Sequence, residues 1–283
     1  MGAGRYAPSP SGDLHVGNLR TALLAWLFAR STGRRFLMRI EDLDRVAPGA
    51  EQRQLADLSA IGLDWDPPVV RQSERTELYE VAAAGLDTYE CFCTRREILS
   101  APSAPHAPDG AYPGTCRDLT EAQRAARRAM RPAALRLRSQ VSEFTVHDVL
   151  HGEYTGTVDD LVLRRNDGTW AYNLAVVVDD GNQGIDQVVR GDDLLSSAPR
   201  QAYLATLLGY PPPVYAHVPM VAGPTGARLA KRDGAVTLRQ RGGPGIVVPE
   251  IAASLGLLGN TPSEMLPGFD PAALPREPWT LIA

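Results

Sequence analysis

Hydrophobic and polar positions switch between two periods along residues 4–66, which read as strand, glycine-rich turn, helix, strand, helix. RYAPSPSGDLHVG supplies the turn, and LRTALLAWLFARSTG predicts an amphipathic helix ended by Gly33. RRFLMRI is a short strand, and AEQRQLADLSAIGLDW a second helix ended by Gly62. This alternation predicts an α/β fold: a Rossmann-like parallel sheet under covering helices, with ligands at the carboxyl ends of its strands. From residue 88 to about 140 the rhythm breaks, which marks an insertion within the sheet domain. It holds three cysteines, the loop APSAPHAPDGAYPG and the arginine-rich helix EAQRAARRAMR.

Strand signals resume at ALRLR and DLVLRR, and NDG at 166–168 makes a turn. QVVRG, a helix from about Pro199 to Leu208, and VYAHVPMVAG restore the α/β pattern. The sheet domain therefore spans 1–240, and 241–283 is a short helical segment in which GIVVPEIAASLGLLG is the clearest helix. No internal repeat is visible.

Composition narrows the class. Of 283 residues 44% are apolar and 22% charged, as in ordinary globular proteins. The longest apolar run, Ala22–Ala29, falls well short of the ~20 residues that span a bilayer. MGAGRYAPSP lacks the blocks of a secretion signal, so the expectation is a cytoplasmic protein with no membrane partner. A net charge of −4 excludes a uniformly positive coat but permits a local basic stripe. Seven arginines between Arg117 and Arg138, against Asp118 and Glu121, form one. It suits an RNA backbone, or it is a solvated helix face.

Two segments carry candidate phosphate chemistry. In Pro8–Asn18 the glycines Gly12 and Gly17 let backbone approach a ligand, while His15 and Asn18 fall at a helix's first turn. Free N–H groups and the helix dipole favour anions there, although a capped strand-to-helix turn has the same appearance. The other segment is RLAKRDG, whose Lys231 is the only lysine beside 28 arginines. A compact ammonium on a mobile loop suits the charge that develops at phosphorus. Cys91, Cys93 and Cys116 offer three thiolates for tetrahedral zinc, with His106 or Tyr112 as fourth ligand; reduced, packed cysteines are the alternative.

APSPSGDLHVGNLRTALLAWLFAR resembles the first signature of class I aminoacyl-tRNA synthetases in its glutamate-specific form, and RLAKRDG resembles the second. WAYNLAVVVDD and QVVRGDDLLSSAPRQAYL are similar to glutamyl-family blocks in order and spacing, and the likeness runs over about 4–240. It implies the class I catalytic domain, ATP as substrate with Mg2+, and glutamyl-adenylate as product of a first step. His15 and Lys231 take the catalytic positions, with Gly17 and Asn18 beside them at the ATP site. Arg5, Tyr6, Ala7, Pro8, Ser9, Glu41, Tyr172 and Arg190 match the L-glutamate positions. Arg5 and Arg190 would each grip a carboxylate, Glu41 the ammonium, and Tyr172 the side-chain carboxylate.

CXC followed by YPGTC resembles a structural zinc site with Tyr112 in fourth place. The sequence departs from the signatures at Asn18, where a second histidine is usual, and at Ala230, where serine is usual. About 50 residues follow Lys231, fewer than the anticodon-reading half of a full glutamyl enzyme requires. Together with Val176, where full-length enzymes usually carry asparagine, this resembles the shortened branch of the family. That branch acts, as a monomer on this reading, on queuosine in the anticodon loop of tRNA(Asp). A truncated enzyme charging a tRNA 3′ end and a non-catalytic tRNA- or nucleotide-binding paralogue are the alternatives.

Overall fold

Four consecutive buried residues make β1 (Ala3–Tyr6) a strand covered on both faces. The computed structural model describes residues 2–100, 111–226, 229 and 236–282. After β1 come α1 (Val16–Ser31), β2 (Arg35–Ile40), α2 (Ala50–Ala60), β3 (Asp66–Arg71) and α3 (Thr76–Ala84). β2 pairs in parallel with both β1 and β3, as the strand–helix alternation predicts.

The chain then leaves this sheet for β4 (Thr88–Cys91), α4 (Arg95–Ser100), α5 (Glu121–Arg128) and β5 (Ala134–Leu137). It returns as the hairpin β6 (Glu143–Asp148) and β7 (Gly152–Thr157), and leaves again for β8 (Val162–Arg164). β4, β5 and β8 form their own antiparallel sheet, which thus takes a strand from beyond residue 140. The β6–β7 hairpin carries no clear strand signal in sequence, because Val146 and Asp148 are the only fully buried positions on β6.

α6 (Tyr172–Gln183), β9 (Ile185–Gly191), α7 (Ala198–Leu207), β10 (Val214–Val218) and β11 (Val221–Ala222) follow. α8 (Pro244–Ser254), α9 (Pro262–Met265) and β12 (Trp279–Thr280) complete the order. The main sheet runs β3-β2-β1-β9-β10-β6-β7, parallel except for β7. From β1 the chain winds outward to β2 and β3; from β9 it winds the opposite way to β10. The crevice at the carboxyl ends of β1 and β9 is therefore the topological switch point, where open α/β sheets bind ligands. No helix among the described residues is long and apolar enough to cross a membrane.

α1 is not amphipathic as expected: twelve of its 16 residues are buried. One side faces the sheet, and the last forty residues of the chain cover the other. Val247, Ile251, Leu255, Met265 and Leu274 share a single core with Leu19, Leu23, Leu24 and Leu27. Phe269 packs edge-on against Phe28 at 5.2 Å. Even Arg20 is buried, donating to the Pro219 carbonyl at 2.8 Å and to Ser254 Oγ at 3.2 Å. Ile251→Ala should then cost about 2–5 kcal/mol in urea unfolding and move one cooperative transition. A second transition, with the first left unmoved, would show the terminal segment folding apart from the sheet.

Candidate active site

A cleft of about 650 Å³ opens at the switch point, and Arg5, Tyr6, Ala7, Pro8 and Ser9 form one wall of it. His15, Gly17 and Asn18 close one end, while Glu41, Tyr172 and Arg190 face it from just past β2, from α6 and from β9. Every described residue proposed from sequence for amino-acid or nucleotide contact thus lines one cavity. Lys231, Ala230 and His106 lie outside the described residues.

The proline-rich loop is held from beneath. Pro8 O accepts from Glu41 N at 2.9 Å, and Pro10 O from Ala47 N at 2.8 Å. Buried Gln54 of α2 donates to Ser9 O at 3.0 Å and to Gly12 O at 2.6 Å. The loop ends at His15, the N-cap of α1: its Nδ1 accepts from Asn18 N, and Asn18 Oδ1 accepts from His15 N, both at 3.2 Å. That capping box serves the helix terminus and fixes the imidazole over Gly17. A Cβ on Gly17 would lie 3.0 Å from the His15 ring and 3.2 Å from Val221, so any larger residue would crowd the imidazole. Both flanks of Lys231 dock here. Leu229 N donates to Val221 O at 3.3 Å, Val236 O accepts from Val16 N at 2.8 Å, and Thr237 bridges to His15.

Two buried arginines dominate the floor, and they are held differently. Arg5 forks onto Asp180, with Nε to Oδ1 at 3.2 Å and Nη2 to Oδ2 at 3.5 Å. The same carboxylate takes Arg39 Nη1 at 2.8 Å, and Arg39 Nη2 reaches Glu41 at 3.3 Å. Asp179, beside it on α6, accepts from Gln72 at 2.8 Å, Arg75 at 2.6 Å and Tyr79 at 2.9 Å. Burial alone would raise the Asp180 carboxyl, but Arg5 and Arg39 outweigh it and hold it below the usual carboxylate range. For Glu41 burial prevails over Arg39 and Arg5, so its carboxyl is raised. Arg190 touches neutral acceptors: His217 Nε2 at 3.0 Å, Gln201 Oε1 at 2.6 Å and Leu194 O at 3.4 Å.

The insertion gathers its sulfurs. The ligand atoms of Cys91, Cys93 and Cys116 lie within 4.8 Å of one another, with Cys93 and Cys116 sulfurs 3.6 Å apart. Tyr112 Oη is 3.4 Å from Cys91 Sγ and 3.9 Å from Cys93 Sγ. Zinc–sulfur bonds of about 2.3 Å in a tetrahedron imply sulfur–sulfur edges of about 3.8 Å, so this donor set matches zinc in spacing and chemistry. Burial, with Cys91 adding to it, pushes the Cys93 thiol up to about 12. Among the described residues, five of the seven nearby arginines form ion pairs, while Arg127 donates to Cys116 Sγ and Arg136 to the Asp160 carbonyl. Arg117 pairs with Asp160, Arg124 with Glu121, Arg128 with Glu90 and Glu121, Arg131 with Glu97, and Arg138 with Asp87 and Asp118.

Sequence reasoning did not single out Arg39, Asp179, Asp180, Gln54, Asp148 or His217. Two signals were present: an arginine inside the apolar strand RFLMRI, and two acids ending the apolar helix run VVVDD. Charges in such runs are buried and need partners.

A family model described as "tRNA synthetases class I (E and Q), catalytic domain" matches residues 3–267. A glutamyl-Q tRNA(Asp) synthetase of Nocardia farcinica is 69% identical over 99% of this chain and 93% of its own length. One from Symbiobacterium thermophilum is 46% identical over 100% of this chain and 97% of its own. Among solved structures, a glutamate tRNA ligase from Elizabethkingia meningosepticum, in complex with its amino acid, superposes with a TM-score of 0.80 at 27% identity. The match covers 98% of this chain and 66% of that one, so the chain spans about two thirds of the solved ligase.

Replacing Asp180 with Asn leaves Arg5 and Arg39 buried without their shared counter-charge, and should cost about 3–5 kcal/mol of unfolding free energy at pH 7. Because the folded carboxyl is depressed, its contribution is present above the ordinary carboxylate pKa and fades as pH falls below about 4. Denaturant titrations from pH 7 to 3 should show wild type and variant converging; a constant gap would disprove the charge assignment.

Proposed function

The chain belongs to the class I (E and Q) tRNA synthetase family, and from that premise we propose that it activates L-glutamate with ATP and transfers it to queuosine in tRNA(Asp). The observation that carries this reading is the convergence of Arg5, Glu41, Tyr172 and Arg190 on the cleft that begins at the His15 cap. In the first step a glutamate α-carboxylate oxygen attacks the α-phosphorus of ATP, which arrives as its magnesium complex, and pyrophosphate leaves. His15 donates through Nε2, which carries the hydrogen when Nδ1 accepts in the cap. Lys231 adds charge to the same phosphates, and Gly17 lets backbone come near them. In the second step a hydroxyl oxygen of the modified nucleoside attacks the activated carbonyl carbon, and AMP leaves. No covalent protein nucleophile takes part; positioning and fixed charge carry the reaction.

Arg5 and Arg190 each grip a carboxylate, Glu41 accepts from the ammonium, and Tyr172 donates to the side-chain carboxylate. Tyr6, Ala7, Pro8 and Ser9 form the wall against which the amino acid lies, and Asn18 the edge of the ATP site. Glutamine would leave a buried guanidinium unpaired, a penalty of about 2–5 kcal/mol. Residues 1–240 act as the catalytic domain and 241–283 as the helical cover of α1. Cys91, Cys93, Tyr112 and Cys116 hold a zinc ion that organises the insertion; four protein ligands leave no position open for chemistry.

Purified protein should catalyse glutamate-dependent ATP–pyrophosphate exchange without tRNA. Mass spectrometry of nuclease-digested tRNA(Asp) should then find glutamate on the queuosine nucleoside. Glutamate confined to the 3′-terminal adenosine would make the protein a tRNA-charging enzyme instead, and absence of exchange would make it a binding paralogue. Elemental analysis should find about one zinc per chain, released by Cys116→Ser; retention of full zinc in that variant would rule out the assigned ligands.

A further inference from the structure

Arg190 is a buried cation with no carboxylate within ion-pair distance among the described residues, whereas Arg5 and Arg39 share Asp180. The group that aims it is His217 on the neighbouring strand β10, directly opposite Arg190 in register. An arginine Nε–H can only donate, so the His217 Nε2 that lies 3.0 Å from it must offer a lone pair. The ring's single proton is then on Nδ1, 2.6 Å from Asp148 Oδ2. Asp148 is itself saturated: its Oδ1 accepts from Leu150 N and His151 N, and its Oδ2 also accepts from His217 N. Both His217 and Asp148 are fully buried. The chain Asp148–His217–Arg190 therefore orients the guanidinium through a neutral ring.

We propose that His217 is a positioning residue for glutamate, holding Arg190 in place without neutralising it, so that the substrate carboxylate supplies the counter-charge. This rests on the reading of Arg190 as a glutamate contact. A carboxylate in the place of His217 would aim Arg190 equally well but would satisfy its charge and weaken the pull on the substrate. A protonated His217 would set two N–H donors and two like charges face to face at 3.0 Å, and the guanidinium would be displaced.

The ionisable groups around the ring are Asp148 from β6, Arg190 from β9, His151 from the loop after β6, whose Nε2 lies 3.0 Å from His217 O, and Tyr215, stacked at 5.6 Å. Asp148 favours the imidazolium, but burial first, then Arg190 and His151, oppose it, and the His217 pKa lies below the usual histidine value. The ring is thus neutral at physiological pH and charges only in acid.

Wild-type exchange activity comes first: its absence would refute the proposed function and is separate from the role of His217. With activity in hand, His217→Leu removes the acceptor, and His217→Gln keeps one near the position of Nε2. His217→Leu should raise the KM for glutamate on the order of 10- to 100-fold, with the KM for ATP changed by less than about twofold. His217→Gln should recover most of the loss and abolish the rise in glutamate KM that the wild type shows in acid, below the usual histidine pKa. Equal losses in glutamate and ATP parameters for both variants, or an acid limb that persists in His217→Gln, would overturn the proposal. Should the variants fail to fold, nitrogen-15 NMR of the wild-type imidazole decides it: a Nδ1-protonated, Nε2-unprotonated ring supports the relay, and the opposite tautomer refutes it.

Discussion

Charged side chains packed at the carboxyl ends of parallel strands are tolerable only if each finds a partner inside the protein, and the organisation of this cleft follows from that requirement. Asp180 answers Arg5 on β1 and Arg39 on β2 with one carboxylate, and Asp179 answers Arg75 while approaching Arg39 at 3.7 Å. Both acids sit on α6, so the helix is tied to the strand ends by charge as well as by its apolar face. Removing one member strands the others without water, which is far costlier than losing a surface pair. The network anchors the second half of α6, while Tyr172, its first residue, stands at the cleft.

The contrast between the two buried arginines that line the cleft, Arg5 and Arg190, gives it its polarity. Arg5 has its charge shared with an internal acid, while Arg190 is steadied by His217, Gln201 and a carbonyl. An uncompensated buried cation is expensive in the empty protein and favourable toward an anion that sheds its water on entering the cleft. On the proposed reading of Arg190 as a glutamate contact, selectivity for an amino acid with two carboxylates would follow from that imbalance more than from the shape of the cavity.

Rigidity around the cleft comes from burial on both sides of α1. The sheet supports one face and the terminal forty residues the other, so the His15 cap stands on an element with few ways to move. The insertion is organised differently. Among the described residues its own cluster is Tyr89, Cys91, Phe92, Tyr112 and Cys116, with a few neighbours. A core that small calls for a further constraint, which a metal held by Cys91, Cys93, Tyr112 and Cys116 would provide.

Much of this was legible in the residues themselves. Local pattern was enough for the strand–helix alternation of 4–66, the parallel sheet, the turn at Gly168, the helix near Pro199 and the cysteine spacing, because periodicity and turn chemistry act over a few neighbouring positions. The motifs also named the residues that line the cleft. What they could not supply was pairing across distance. Asp180 meets Arg5 from 175 positions away and His217 meets Asp148 from 69, and neither separation leaves a local trace. The same limit explains α1, whose apolar pattern seemed one-sided until residues far along the chain covered its outer face, and β6, whose exposed side chains concealed a strand paired on both sides, with β10 and β7. The amino-acid order by itself determined the elements and the chemical groups available. Only the tertiary structure decided which charges answer one another, since burial and counter-charge belong to the folded chain as a whole.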